Sequence, residues 1–334
     1  VFAVPSYRGK RLGVEFQVSN GDAWAGEVAV RCEVEETANG RRHDLGEASC
    51  RLAGGAREQV AVSFAWADPV LWFPDDPRLL DLHLSVVRDG RLADAPPPVR
   101  FGFREVWTDG GNLVMNGVPF RIRGAGNGWE ASGAGARSVI DFYRARGMNA
   151  AIGWFLGATP QPALEEALRV ADETGFLSAF NLFMPGGSEA ARREQLRKTL
   201  DNFRNHPCVY GYVIGDEPYC FEYQNDPVSL GRPASDADPG DPLCQSNLDA
   251  LRRVKEADPT RPVGFYTRGV LGDFRSLMQY LGYGTPLQTR EEYFKYWAET
   301  RPAPFIGTEM DTSLYLYAYL WQKGGHLPMD YAMG

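Results

Sequence analysis

The hydrophobic residues of this chain change their spacing once, and that change limits it to two kinds of fold in succession. Through the first hundred residues the repeat is two. Val28, Val30, Cys32 and Val34 alternate with Ala29, Arg31 and Glu33; Val60, Val62, Phe64 and Trp66 repeat the pattern, as do Leu80, Leu82, Leu84 and Val86. Side chains two apart share a face only in a strand, so one face of each strand is buried and the other wet. Turn residues separate the runs: Asn20-Gly21-Asp22, Asn39-Gly40 and Asp89-Gly90. About seven such strands in ~100 residues predict a β-sandwich of immunoglobulin type.

From about Leu113 short apolar strands alternate with amphipathic helices. Strands are expected at 120–124, 150–155, 176–183, 209–215, 263–266, 278–283 and 304–308. Helices are expected at 136–146, 162–174, 189–204, 248–257 and 290–300. Pro162 suits a first helical turn, and Gly147 and Gly175 follow helix ends. Repeated strand–helix units imply a parallel sheet with right-handed crossovers. Seven in a row favour a (β/α)8 TIM barrel over an open sheet. After Tyr315–Trp321, which reads as the helix behind strand seven, no eighth strand is evident. An irregular eighth strand and a chain truncated after strand seven both fit. The expected domains are therefore a sandwich over 1–108 and a barrel over 109–334.

Charge narrows the function. The net charge of −8, without any cluster of Lys and Arg, argues against a nucleic-acid surface. No apolar run approaches the ~18 residues of a membrane span. Five cysteines (Cys32, Cys50, Cys208, Cys220, Cys244) and four histidines, with no CxxC pair, argue against structural zinc. Cys32 and Cys50 lie on the apolar phase of strands, and Cys220 and Cys244 bracket a long loop. Two disulfides and a buried Cys208 would fit an exported protein; five reduced thiols are the alternative. No Walker loop, nucleophilic serine motif or HExxH occurs, and no cofactor is expected.

In a barrel of this kind the active site lies at the C-terminal ends of the strands. Strand four, Val209 to Ile214, leads to Gly215-Asp216-Glu217-Pro218; strand seven, Pro304 to Thr308, leads to Glu309. Two carboxylates at two strand ends converge on one mouth. Glycosidic cleavage needs such a pair, one to protonate the leaving oxygen and one to attack the anomeric carbon or activate water. Each Glu alone could equally cap a helix or form an ion pair.

Several stretches, in order, resemble glycoside hydrolase family 2. Leu71-Trp72-Phe73-Pro74-Asp75-Asp76-Pro77-Arg78-Leu79-Leu80 resembles the tryptophan–proline segment of that family's sandwich. Phe101-Gly102-Phe103-Arg104-Glu105 and Leu113 to Phe120 resemble its sandwich-to-barrel junction. Arg123-Gly124 with Asn127, Asn205-His206-Pro207 before Glu217, and Pro304 to Glu309 resemble its first, fourth and seventh barrel strands. The resemblance implies a retaining β-glycosidase with Glu217 as acid/base, Glu309 as nucleophile and a carbohydrate substrate.

The chain also departs from that family. Asp216 stands where the family has Asn beside the acid/base, Trp129-Glu130 where it has His and an acidic residue, and Ile152 where it often has Arg. Asp216 can accept from a sugar hydroxyl but not donate. An Asp-Glu pair also serves substrate-assisted hexosaminidases, which is a second reading; a non-catalytic carbohydrate-binding module is a third. Aromatic faces suit the CH face of a sugar, so Trp129, Trp154, Tyr266 and Tyr283 join Asp216 and Asn127 as candidate substrate contacts. Nothing in the sequence sets the oligomeric state.

Overall fold

In the computed structural model the described residues are 1–126, 129–153, 161–182, 188–214, 242–265, 273, 275–280 and 305–311. The period-two half forms eight strands: β1 (Phe2–Ser6), β2 (Arg11–Ser19), β3 (Gly26–Glu36), β4 (Arg42–Leu52), β5 (Arg57–Ala65), β6 (Leu80–Arg88), β7 (Arg91–Asp94) and β8 (Val99–Phe101). They make two antiparallel sheets. One has the order β1-β2-β5; the other has β4-β3-β6-β7, with β8 also paired to β6. Val28, Val30, Cys32 and Val34 are buried, as their phase predicts, and share one core with Leu12, Val14, Phe16 and Val18 of the facing sheet. The Asp89-Gly90 turn carries positive φ at both residues (51° and 74°), as a two-residue hairpin of primed type requires.

The cysteine expectation changes here. Cys32, Cys50 and Cys208 are free thiols. The register of β3 on β4 sets Cys32 opposite Gly46 and Cys50 opposite Val28, so the two sulfurs sit at different levels of the ladder. Cys220 lies outside the described residues, and so does the side chain of Cys244.

A three-stranded antiparallel sheet, β9 (Val106–Asp109), β10 (Asn112–Met115) and β11 (Val118–Phe120), bridges to the second half. There the parallel strands β12 (Gly124–Gly126), β13 (Ala150–Gly153), β14 (Leu177–Leu182), β15 (Val209–Ile214) and β16 (Val263–Phe265) pair in sequence order. The helices α1 (Ala136–Arg144), α2 (Gln161–Thr174), α3 (Glu189–Leu200) and α4 (Pro242–Ala257) link them, and a 3₁₀ helix, Trp129–Gly135, precedes α1. β17 (Arg275–Tyr280) and β18 (Phe305–Asp311) form a further parallel pair. Four crossovers run in one direction along the five-stranded sheet, and the right-handed rule for such units puts their helices on one face of it.

Several boundaries differ from the sequence reading: β17 begins three residues before its expected start, β18 runs on to Asp311, α3 ends at Leu200, and three further shifts have a local cause. Phe120 belongs to the hairpin strand β11, because the Asn116-Gly117 turn, with φ of 48° and 81°, folds it back onto β10. The first parallel strand is instead the glycine-rich Gly124–Gly126. It carries no apolar period because its backbone lies against β13: a Cβ on Gly124 would sit 2.9 Å from the Ala150 carbonyl oxygen. Helix α4 starts at Pro242, six residues before the expected start, with proline at its first position.

The two halves are packed together. Trp72 is fully buried in the core of the second half, and its indole N–H donates to the Asp172 carbonyl at 3.1 Å. Gly175, just past α2, has φ +70° and meets the Pro74 backbone so closely that a Cβ would fall 1.9 Å from the Pro74 oxygen. Gly147 has nearly the same φ, +75°, but open space around it. Both alanine variants should therefore incur the left-handed backbone penalty of about 1–2 kcal/mol. Gly175→Ala should lose clearly more stability than Gly147→Ala, because it must also push the halves apart; urea unfolding of the two variants checks this.

Burial raises the Cys32 thiol to about 11 and the Cys208 thiol well above its ordinary value, the latter helped by Asp172. Alkylation of the folded chain near pH 8 should leave both as thiols. Labelling should reach them only in denaturant, or, for Cys32, as the pH approaches about 11, with peptide mass spectrometry as the readout.

Candidate active site

Strand β15 leads to Glu217, and its first residues are held by two buried arginines. Arg104 is 2% exposed. Its guanidinium donates to the Pro207 carbonyl at 2.8 Å, to those of Thr260 and His206 at 3.3 and 3.4 Å, and to that of Val209. Burial pushes its pKa down to about 9, with the nearby Arg261 cation adding to the shift, so it stays charged at neutral pH. Arg261, also 2% exposed, donates to the Val209 carbonyl at 2.7 Å and to those of Phe203, Arg204 and His206 at 3.3, 3.0 and 2.8 Å. Burial works against the Arg261 cation, yet its ion pair with the fully buried Asp258 carries its pKa above the ordinary value.

Asp258 is fully used. It accepts from the Tyr212 hydroxyl at 2.8 Å and from the Thr260 hydroxyl and amide at 2.7 and 3.1 Å. Burial, countered in part by Arg261, lifts the Tyr212 phenol well above its usual range, so it remains a neutral donor. Asn205-His206-Pro207, the stretch that resembles a lead-in to an acid/base strand, acts as a clamp. Asn205 accepts from the Ala3 amide at 3.1 Å and donates to the Val1 carbonyl at 2.9 Å, which ties down β1. His206 Nδ1 pairs with Asp172 at 2.6 Å, and Pro207 presents its carbonyl to Arg104.

Glu105 completes the junction. It is 5% exposed and receives Arg8 through Nε at 2.8 Å and the Arg8 amide at 3.0 Å, while its own amide donates to Asn116 Oδ1 at 2.9 Å. The Asn116 amide donates to the Trp72 carbonyl at 3.2 Å. Arg104, Arg261 and Asp258 were not singled out in the sequence. The signal was weak: charged residues beside apolar strands, with partners more than fifty positions away for both arginines.

Of the residues expected to contact substrate, Trp129 is described and belongs elsewhere. It is 2% exposed, donates its indole N–H to Ser178 Oγ at 3.3 Å and meets Phe176 edge-on at 5.9 Å. Phe176 precedes β14 and Ser178 is its second residue, so the ring packs at the opposite end of the strand from a C-terminal mouth. In this structure the Trp129 ring is packed in the core of the second half. Glu309 lies within β18, with its backbone paired to Met278 in β17, rather than just after a strand. Asn127, Trp154, Asp216, Glu217, Tyr266 and Tyr283 lie outside the described residues. Among the described residues no group of three or more His, Cys, Asp or Glu could hold a metal ion, and no helix is long and apolar enough to cross a membrane.

Residues 1–104 match the family model "Glycosyl hydrolases family 2", which bears out the resemblance read from the motifs. No curated protein sequence matches the chain. Solved structures share its fold. A Bacteroides uniformis β-glucuronidase aligns over 91% of this chain and 39% of its own, with 17% identity and a TM-score of 0.67. A family 2 β-galacturonidase from Eisenbergiella tayi aligns over 92% of this chain and 55% of its own, with 18% identity and a TM-score of 0.68. A glycosyl hydrolase family 2 member from Bacteroides cellulosilyticus aligns over 92% and 43%, with 18% identity and a TM-score of 0.60. The chain thus spans about half, or less, of the length of these proteins.

The clamp on β15 predicts a mutational effect. Arg104→Met removes the donors to four buried carbonyls and should lower unfolding free energy by at least about 3 kcal/mol. Arg104→Lys should recover only part, since an ammonium cannot reproduce the planar fork. Denaturant unfolding of the two variants measures both.

Proposed function

We propose that this chain carries the catalytic centre of a retaining β-glycoside hydrolase, with Glu217 as acid/base and Glu309 as nucleophile. The observation that carries the reading is the strand order. Counted from β12, the strand leading to Glu217 is the fourth parallel strand and the one holding Glu309 is the seventh. The family 2 match over residues 1–104 supports the same class. In this reading residues 1–108 are the immunoglobulin-type sandwich and residues 109–334 belong to a (β/α)8 barrel. The clamp at Val209 and Tyr212 then holds the strand that carries the acid/base in register with its neighbours.

The chemistry follows from the pair. Protonated Glu217 gives its proton to the glycosidic oxygen as the Glu309 carboxylate attacks the anomeric carbon, so the leaving alcohol departs and a glycosyl ester forms. Glu217, now a carboxylate, takes a proton from water, the water attacks the same carbon, and Glu309 is released. Two inversions give net retention, and the two carboxyl groups must lie about 5–5.5 Å apart. Asp216, Asn127, Trp154, Tyr266 and Tyr283 form the sugar-contacting set around them. The substrate class is a β-linked glycoside, with β-glucuronides and β-galacturonides first to test because two of the similar structures are named for those activities.

Aryl β-glycosides test the proposal. Glu309→Ala and Glu217→Gln should each reduce turnover by at least about 10³-fold, and azide should restore activity to a Glu217→Ala variant on an activated substrate. Unchanged turnover in both variants would reject the assignment. Loss of activity in Asp216→Ala, together with full activity in Glu309→Ala, would move the chain to the substrate-assisted mechanism.

A further inference from the structure

Two polar side chains of the parallel sheet are buried without a hydrogen-bond partner among the described residues: Tyr210, which leaves one hydroxyl unmet, and Asn181, which leaves both polar atoms of its amide unmet. Asn181 is the penultimate residue of β14, is 0% exposed, and has no hydrogen-bond partner for either Oδ1 or Nδ2 among the described residues. A donor and an acceptor left unmet together are among the costliest features of a protein interior, and native cores rarely keep one without a functional reason.

Its place on the strand says which way it faces. Phe180 stacks on Phe203 at 4.4 Å, and Ser178 Oγ receives the Trp129 indole; both residues therefore face the layer that holds the helices. Side chains alternate along a strand, so Asn181 projects from the other face of the sheet. The register rows on that face are otherwise built from small or apolar residues. Among the residues whose side chains are described, one row is Gly124, Ala150 and Leu177; the next holds Ala179 and Gly211; the last, nearest the C-terminal end, is Asn181, Val213 and Gly264. The amide is thus the single polar side chain among these rows, and it stands in the row nearest the strand ends. Beside it, β15 runs on from Val213 toward Glu217.

We infer that Asn181 is a sugar-contacting residue that helps set specificity, its amide oxygen accepting from one hydroxyl and its amide nitrogen donating to the neighbouring hydroxyl of a vicinal pair on a pyranoside. A carboxamide offers one acceptor and one donor side by side, and a vicinal diol offers the complement. This inference rests on the glycosidase reading, and it restores at the sheet the donor that Asp216 cannot supply.

The test uses Asn181→Leu, which keeps the branched heavy-atom skeleton and cannot hydrogen-bond, and Asn181→Asp, which keeps the acceptors and loses the donor. Wild type and variants are compared on 4-nitrophenyl β-D-glucuronide and β-D-galacturonide for kcat and KM, and by the rise in Tm that D-glucuronic or D-galacturonic acid produces. Asn181→Leu is expected to raise the Tm of the free chain, since the unmet amide is gone, to lower kcat/KM by at least about tenfold, and to abolish the sugar-induced rise. Asn181→Asp is expected to lose kcat/KM by a similar factor. If the wild type turns over a substrate and both variants stay within twofold of it, the assignment of Asn181 is wrong and the glycosidase reading stands. If the wild type neither cleaves nor is stabilised by any of these sugars, the glycosidase reading for these substrates falls and the role of Asn181 falls with it.

Discussion

A buried guanidinium donating to backbone carbonyls joins the two halves of this protein. Arg104 comes from the segment that leaves the sandwich, and its acceptors, from His206 to Val209 and at Thr260, belong to the parallel-sheet half. A cation at 2% exposure is tolerable only when its N–H groups are met, and the carbonyls at the start of β15 are free to meet them because a parallel strand begins there. Arg261 loads the same carbonyls from the other side and is neutralised by Asp258. The position of β15 therefore follows from charge solvation as much as from sheet pairing.

Around this centre the junction is built from close approach and buried aromatics. Trp72 enters the core of the second half, and Gly102 lets it do so: a Cβ there would fall within 2.7 Å of Pro207 and 2.8 Å of Trp72. Gly175 does the same for the Pro74 backbone. Three of the stretches that resemble glycoside hydrolase family 2, from Leu71 to Leu80, from Phe101 to Glu105 and from Asn205 to Pro207, fall largely on this contact. A resemblance concentrated at the junction describes how the two halves are held together. That is a prerequisite for chemistry at the strand ends, without being the chemistry itself.

The elements were largely legible in advance because their signals are local. Period-two burial in β3 and β6, the helical face of α2 and the apolar runs of β14 and β15 came out as the residue pattern required, whereas α1 buries Ile140 with Tyr143 and leaves Phe142 exposed. The misses have physical causes. β12 is Gly-Ala-Gly and has no apolar residue to display a period, because its backbone packs where a side chain would be. Trp129 follows a strand end, as a sugar platform would, yet its ring turns back to Ser178 and Phe176. Cys32 and Cys50 share a predicted phase, but a one-residue register decides whether two side chains meet, and this register holds them apart.

The amino-acid order by itself determined the kinds of element, their succession and the two strands that lead to or hold Glu217 and Glu309, since hydrophobic period and turn chemistry act over a few residues. The tertiary structure alone decided which residues meet. Arg104 finds Val209 across 105 positions and Trp72 finds Asp172 across 100. It also decided which polar groups of the sheet are left over among the described residues, the Tyr210 hydroxyl and the Asn181 amide, since Asn181 looks like any strand residue until its neighbours prove to be glycine, alanine and valine. Contacts at that range carry no period along the chain. They are selected by burial, which charges a penalty to every unmet polar group and so reveals, in the folded molecule, both the guanidinium that holds the fold together and the amide that nothing in it satisfies.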